Sequence, residues 1–498
     1  MARKAPALRR AVTGEEMTFV EKINSESSRG QKLQSWIRGR SSSRANWVFF
    51  AAAIFVALFV AMSNVGGFGL ATHAAIPLST HAEEARRAFG GTDAGSYLQA
   101  ALGLRDLGPQ GVVGNQWIYN LWPPGMVALN LILVTLEEIT QIPYVALLVF
   151  VSALVWTLFL SRIFWFFQAR KAGVGFLFLA TLMLSSLGSP MLSDYIGYAD
   201  GFAAGFLVMA VVELFRQGPL PRNLLSAVYL RAVIFLSLAM HFRTTYETLA
   251  TFLVVVPAAL TLLWFALSNL WPQRFIFSWR NPVTSVFFVA LGSQLLSIPW
   301  RLIAGRFVRP GDYRWTTVLD TAPSARWFPT NLYSEEAGFL RVGHANFGCL
   351  NDPVRCEEIR VIEQTSSAPY TGSGNFSQEQ FHEELIQSFL NHPFTYFLER
   401  TSMFFHGFFS TTGGSVGDLR IFEGLFILGG FFVAMIFLAR NREAGLGGLV
   451  MAFLSIGALS GVLLFFHMET RYMFPIKFLM MVIIFLALSQ RRKDTTVP

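Results

Sequence analysis

Eleven stretches of this chain are apolar for long enough to cross, or nearly cross, a lipid bilayer. They lie near residues 46–70, 122–139, 143–161, 173–191, 196–215, 224–240, 247–270, 283–300, 421–439, 446–466 and 472–489. A bilayer core about 30 Å thick takes about twenty residues of helix. Lipid offers the backbone no hydrogen-bond partners, so such segments must be helices that satisfy their own amides. Composition agrees: 53% of the 498 residues are hydrophobic and 14% charged, against about 25% charged in soluble domains. The expected fold class is an all-α polytopic membrane protein.

Basic residues orient the spans. The formal net charge of +8 is concentrated in the first 45 residues (Arg3, Lys4, Arg9, Arg10, Lys32, Arg38, Arg40, Arg44) and at Arg491, Arg492 and Lys493. Both clusters read as cytoplasmic by the excess of Lys and Arg on that side. So do "RQGPLPR" at 216–222, "PQRFIFSWR" ending at Arg280 and "RNRE" at 440–443. No cleavable leader is expected, because about 45 mostly polar residues precede the first apolar run. The division that follows is a cytoplasmic tail at 1–45 and a transmembrane module at 46–300 with a first outer loop at 71–121. A large outer loop at 301–420 comes next, then the last helices and a short tail at 421–498. Eleven crossings conflict with two cytoplasmic termini. The weakest segment is 122–139, which is short and ends in Glu137 and Glu138; it is half-inserted, or a further helix hides near 394–412. "NHPFTYFLERTSMFFHGFF" is too polar for a span and suits an interfacial helix. Cys349 and Cys356, in "CLNDPVRC" of the large loop, are expected to form a disulfide if that loop is outside.

The chain has no nucleotide-binding G-x-x-x-x-G-K-[ST] loop, no H-E-x-x-H and no D-x-D. A metal site is not supported, since no cysteine–histidine cluster has zinc spacing. What remains is a set of polar residues on the outer face. Asp93 and Tyr97 sit in "GTDAGSYLQAALGL", and Asp194 and Tyr195 in "SDYIGYAD". "HFRTTYE" supplies His241, Arg243, Tyr246 and Glu247. "IPWRLIAGR" supplies Trp300, Arg301 and Arg306, and "HMETRY" supplies His467, Glu469, Arg471 and Tyr472. Ionisable groups at the ends of apolar segments are costly unless they face a cavity or a partner. For most of these residues helix-end anchoring is an adequate explanation. It does not explain Asp93, an acid in a loop.

The first-loop aspartate followed by "SYLQA", then "WPPG", "IPWR" opening a large loop, "HPFTYFLER" and a late "ETRYMFP" occur in this order. The ordered set resembles the GT-C membrane glycosyltransferases, specifically the branch holding protein O-mannosyltransferases and the lipid A aminoarabinose transferase. The resemblance implies a GT-C-like bundle of about ten to twelve helices with two large extracytoplasmic loops. It also implies multi-pass residence in a bacterial cytoplasmic membrane, with the active site facing the periplasm or exterior. The first-loop aspartate of the family is the catalytic carboxylate, and Asp93 matches it. Relatives often carry an acidic pair there, whereas Asp93 is followed by Ala94.

The implied reaction moves a sugar from a polyprenyl-phosphate donor to an acceptor hydroxyl on a glycan, lipid or protein, inverting the anomeric configuration. A lipid phosphate is already a good leaving group, so one carboxylate and a few cations suffice. On this reading Asp93 is the general base, and Arg243, Arg301 and Arg471 grip the donor phosphate, since guanidinium binds phosphate bidentately. Tyr97, Asp194, Tyr195, His241, Trp300, Glu469 and Tyr472 line the substrates. No cofactor is called for, and no nucleic acid. Two alternatives are a flippase for a lipid-linked sugar and an O-antigen polymerase or ligase using a diphosphate-linked donor. Inverted repeats, the usual mark of transporters, are not visible.

Overall fold

The computed structural model describes residues 48, 50–63, 76–90, 92–115, 118, 123–169, 196–216, 226–270, 280–307, 331–334, 338–341, 393–409, 418–440, 446–465 and 470–491. The chain divides into two compact units, Met1–Ala57 and Leu58–Pro498. Helix α1 covers Phe50–Met62; all that follows concerns the second unit.

The expected helical character is present. The first polar loop contributes α2 (Ala82–Phe89), α3 (Asp93–Leu107) and α4 (Pro109–Gly114). Then come α5 (Gly125–Thr140), α6 (Tyr144–Ala169), α7 (Ala199–Arg216), α8 (Ala227–Phe242), α9 (Thr244–Leu270) and α10 (Arg280–Phe307). A two-stranded antiparallel hairpin, β1 (Asn331–Ser334) with β2 (Gly338–Arg341), lies in the large loop. The last elements are α11 (Pro393–Phe409), α12 (Asp418–Arg440), α13 (Leu446–Phe465), a 3₁₀ turn (Thr470–Met473) and α14 (Phe474–Arg491). Among the described residues, four helical segments are long and apolar enough to cross a membrane: Tyr144–Phe166, Thr244–Leu267, Pro282–Trp300 and Gly447–Leu464. Phe50–Met62, Ala227–Phe242, Glu423–Leu438 and Phe474–Leu488 are shorter apolar helices. Leu262, Phe265, Phe432 and Val433 all stand exposed on the outside of the bundle. Large apolar surface of this kind is what a bilayer covers and what water penalises.

α7 is the centre. It packs on α6, α8, α13 and α14, and Ala203, Ala204, Leu207, Val208, Ala210, Val211 and Phe215 are buried along it. Its small residues admit close neighbours. A Cβ on Gly205 would lie 2.2 Å from the Phe159 ring, and one on Gly448 would lie 2.6 Å from the Phe215 ring. Contacts along α7 define two ends of the bundle. Asp200 opens α7 at one end, beside the junction of α8 with α9. At the other end Phe166 and Gly448 meet Phe215, and the starts of α8 and α10 join through a Tyr229–Ser285 hydrogen bond of 2.7 Å.

α5 decides between the two readings left open for 122–139, in favour of a segment that does not cross. Gly125 packs directly on the His241 carbonyl and the Phe242 ring, at the Asp200 end. Near the other terminus of α5, Glu137 accepts from the Ala82 amide at 3.3 Å and the Tyr144 amide at 3.2 Å, and pairs with His81 Nδ1 at 2.8 Å. It thereby holds the first amides of α2 and α6, donors that no helix can satisfy internally. Tyr144 also donates its hydroxyl to Asn130 Oδ1, 3.0 Å away. Both ends of α5 are thus tied to elements at the Asp200 side, and the helix does not run through the bundle.

The expected interfacial helix is α11. Phe394, Phe397, Leu398 and Phe405 are exposed on it, while Phe408 is buried. It packs against α12, α13 and the 3₁₀ turn. The expected span at 173–191 and Cys349 and Cys356 lie outside the described residues.

Candidate functional site

Asp93 is the first residue of α3, immediately after the N-cap Thr92, whose hydroxyl accepts from the Gly95 amide at 3.4 Å. Two glycines set its position. α2 ends at Gly90 with φ +59°, a left-handed conformation that glycine adopts without strain. A Cβ on Gly95 would come within 2.1 Å of the Gly90 carbonyl oxygen, so the start of α3 folds back on the end of α2 only with glycine there. A Cβ on Gly197 would lie 2.7 Å from that of Ala94. This second close approach brings the segment leading into α7 against the residue after Asp93, and Asp200 arrives with it.

Arg243 stands between the two aspartates. It is a single extended residue, φ −148° and ψ 131°, that separates α8 from α9. Its amide donates to Ala239 O and its carbonyl accepts from Tyr246 N, both at 3.1 Å. The guanidinium then meets three other elements. Nη1 donates to Asp93 Oδ2 at 3.1 Å and Nη2 to the Tyr472 hydroxyl at 2.6 Å, while Nε forms an ion pair with Asp200 Oδ1 at 3.1 Å. Its carbon also lies 5.1 Å from the centre of the Tyr472 ring. The Arg243 and Asp200 side chains are 8% and 7% exposed, while that of Asp93 is 17% exposed. Asp93 is therefore the more accessible carboxylate of the node. Tyr97 and Tyr246 are buried, and Phe202 and Phe206 pack on Phe242 behind Arg243.

The structure brings together Asp93, Arg243 and Tyr472, three residues expected at the site, across most of the length of the chain. Arg243, expected as a phosphate ligand, directs Nε, Nη1 and Nη2 to Asp200, Asp93 and Tyr472. His241 makes a local contact, donating from Nδ1 to the Ser237 carbonyl at 2.7 Å. Trp300 lies in α10, just after the internal Pro299. Asp194, Tyr195, His467 and Glu469 lie outside the described residues, as do the side chains of Arg301, Arg306 and Arg471. Asp200 was not anticipated. It is the last residue of "SDYIGYAD", but it falls inside an apolar run and reads as part of a span. A carboxylate in the first turn of an apolar helix was the available signal, because such a group must find a partner.

The node can orient a carboxylate against a fixed cation in a mostly buried setting. Within it one guanidinium faces two carboxylates. No group of three or more His, Cys, Asp or Glu among the described residues is arranged to hold a metal ion. Comparison with models of known families, with curated proteins and with solved structures gave no match. The fold and site define a helical, membrane-type bundle with a buried ionic node at one end.

Proposed function

We propose that this chain is a GT-C-like inverting glycosyltransferase. It transfers a sugar from a polyprenyl-phosphate donor to an acceptor hydroxyl at the extracytoplasmic face of a bacterial cytoplasmic membrane. The observation that carries the reading is the convergence of Asp93, Asp200, Arg243 and Tyr472 from four separate elements at one end of the bundle. α7, α9 and α12 end, and α8, α10 and α13 begin, at the other end, and the sequence between them holds "RQGPLPR", "PQRFIFSWR" and "RNRE". Basic connections belong in the cytoplasm, so the node faces outside. With α5 removed from the crossings, ten apolar segments remain. That even number returns both basic termini to the cytoplasm.

In the reaction the acceptor oxygen attacks the anomeric carbon, and the bond from that carbon to the donor phosphate oxygen breaks. The leaving phosphate takes the electron pair and Asp93 takes the acceptor proton. Arg243 couples the two halves. Before the donor arrives, its Nη1 rests on Asp93. An entering phosphate competes for that edge, while Asp200 retains Nε and keeps the guanidinium in place. Asp93 is then released to the acceptor hydroxyl only when a donor is bound. Arg301 and Arg471 complete the grip on the phosphate, which strengthens as charge develops on the leaving group.

The test supplies purified protein with sugars linked to polyprenyl monophosphate, and in parallel with oligosaccharides linked to polyprenyl diphosphate. Release of free polyprenyl monophosphate from the first set is expected. Lipid-linked sugar that changes leaflet without cleavage would identify a flippase instead. Turnover confined to the diphosphate donors would identify a polymerase or ligase.

A further inference from the structure

A second ionic cluster lies at the end of the bundle opposite Asp93, and the reaction has no use for it. Glu213 of α7 is completely buried. It accepts Nε and Nη2 of Arg162, from α6, at 3.1 and 2.5 Å, and Nε of Arg231, from α8, at 3.0 Å. The two arginine side chains remain 27% and 39% exposed. Trp165, itself half exposed, lies with its ring centre 5.7 Å from the Arg162 guanidinium carbon.

One arginine neutralises one glutamate. The second leaves a formal charge of +1 among these three residues, near exposed apolar side chains such as Leu158 and Leu230 on the same helices. Cations there are costly unless an anion or water solvates them. The buried glutamate also acts as a clamp. It holds the Nε–Nη2 edge of Arg162 and Nε of Arg231, and so restrains both guanidiniums before any ligand arrives, which lowers the ordering cost of binding. The depth of the cluster is informative as well. Glu213 is three residues from the end of α7 and Arg231 is in the opening turns of α8. That is where helices of this length meet the headgroup layer, and tryptophan is enriched at the same level.

We propose that Arg162 and Arg231 form a binding site for the phosphate of an anionic glycerophospholipid in the leaflet at this end of the bundle. Phosphate oxygens match the guanidinium fork, the headgroup's negative charge offsets the surplus, and basic clefts between helices on the cytoplasmic side suit such headgroups.

Native mass spectrometry of the purified full-length protein, titrated with phosphatidylglycerol or phosphatidylcholine, tests this without reference to sugar transfer. Wild type is expected to retain phosphatidylglycerol in preference to phosphatidylcholine. Arg231→Gln should lose about tenfold or more of the affinity for phosphatidylglycerol, the effect of removing a charged hydrogen bond. Arg231→Lys should fall between, because it keeps the charge and loses the fork. Equal retention of the two lipids overturns the proposal, and so does unchanged affinity in Arg231→Gln. Displacement of phosphatidylglycerol by inorganic phosphate at matched concentration shows a free-anion site and also overturns it. Should Arg231→Gln not fold, photoactivatable phosphatidylglycerol on wild type decides. Cross-links should map to 144–169 or 227–242, and cross-links confined to other segments count against the site.

Discussion

Replacing Arg243 by glutamine removes the cation that stands between two mostly buried carboxylates. The change deletes donors at Asp93, Asp200 and Tyr472 together. Taking one partner from a buried ion pair costs about 3–5 kcal/mol, chiefly because the other charge stays behind without compensation. Here two charges stay behind. Asp200, at 7% exposure, carries most of the penalty, while Asp93, at 17%, recovers some hydration. Arg243→Lys should restore only part of the loss, since one ammonium cannot reach three acceptors held by three elements. The origin of the penalty gives a sharper test. The triple variant Arg243→Gln, Asp93→Asn, Asp200→Asn removes both carboxylates that lose this cation, so it should unfold at a higher temperature than Arg243→Gln alone despite carrying more substitutions. Such non-additivity is the signature of residues acting as one unit. Thermal unfolding of the purified variants in one detergent ranks them. A midpoint for Arg243→Gln equal to wild type, or a triple variant less stable than the single one, would refute the reasoning.

Two further outcomes follow from other parts of the fold. Glu137→Gln keeps the size of the side chain but removes the charge that holds the opening amides of α2 and α6; it should lower the unfolding midpoint and make the first loop sensitive to protease, whereas Glu138→Gln, on an exposed carboxylate, should do neither. The loop carrying Cys349 and Cys356 should be outside and disulfide-bonded, so an impermeant thiol reagent on intact cells should label it only after reduction; labelling that requires permeabilisation would reverse the topology.

Much of the helical framework was legible because apolar runs of span length leave few structural options. Arg243 and Tyr472 were legible for the complementary reason: a polar side chain at the end of such a run needs an explanation. Asp200 was not, because one acid inside an apolar run does not raise the average polarity of that run enough to interrupt it. α5 was left open on the same principle. Composition distinguishes a buried helix from an exposed one, not a helix that crosses from one that stays at one end, although Glu137 and Glu138 marked where it would stop. Arg243 was expected close to Asp93 through a shared donor phosphate, but their direct ion pair was not legible. It depends on close backbone approaches at Gly95 and Gly197, whose tolerances are set by atoms from other segments.

The central claim is that Asp93 takes the acceptor proton, and Asp93→Asn tests it most directly. Asparagine keeps the shape of the side chain and an oxygen for Arg243, but it cannot act as the base. Release of polyprenyl phosphate from a labelled polyprenyl-phosphate sugar should fall by about 10²–10⁴, the usual worth of a general base, while the variant remains folded and membrane-inserted. Turnover within a fewfold of wild type in a folded Asp93→Asn protein would contradict the account.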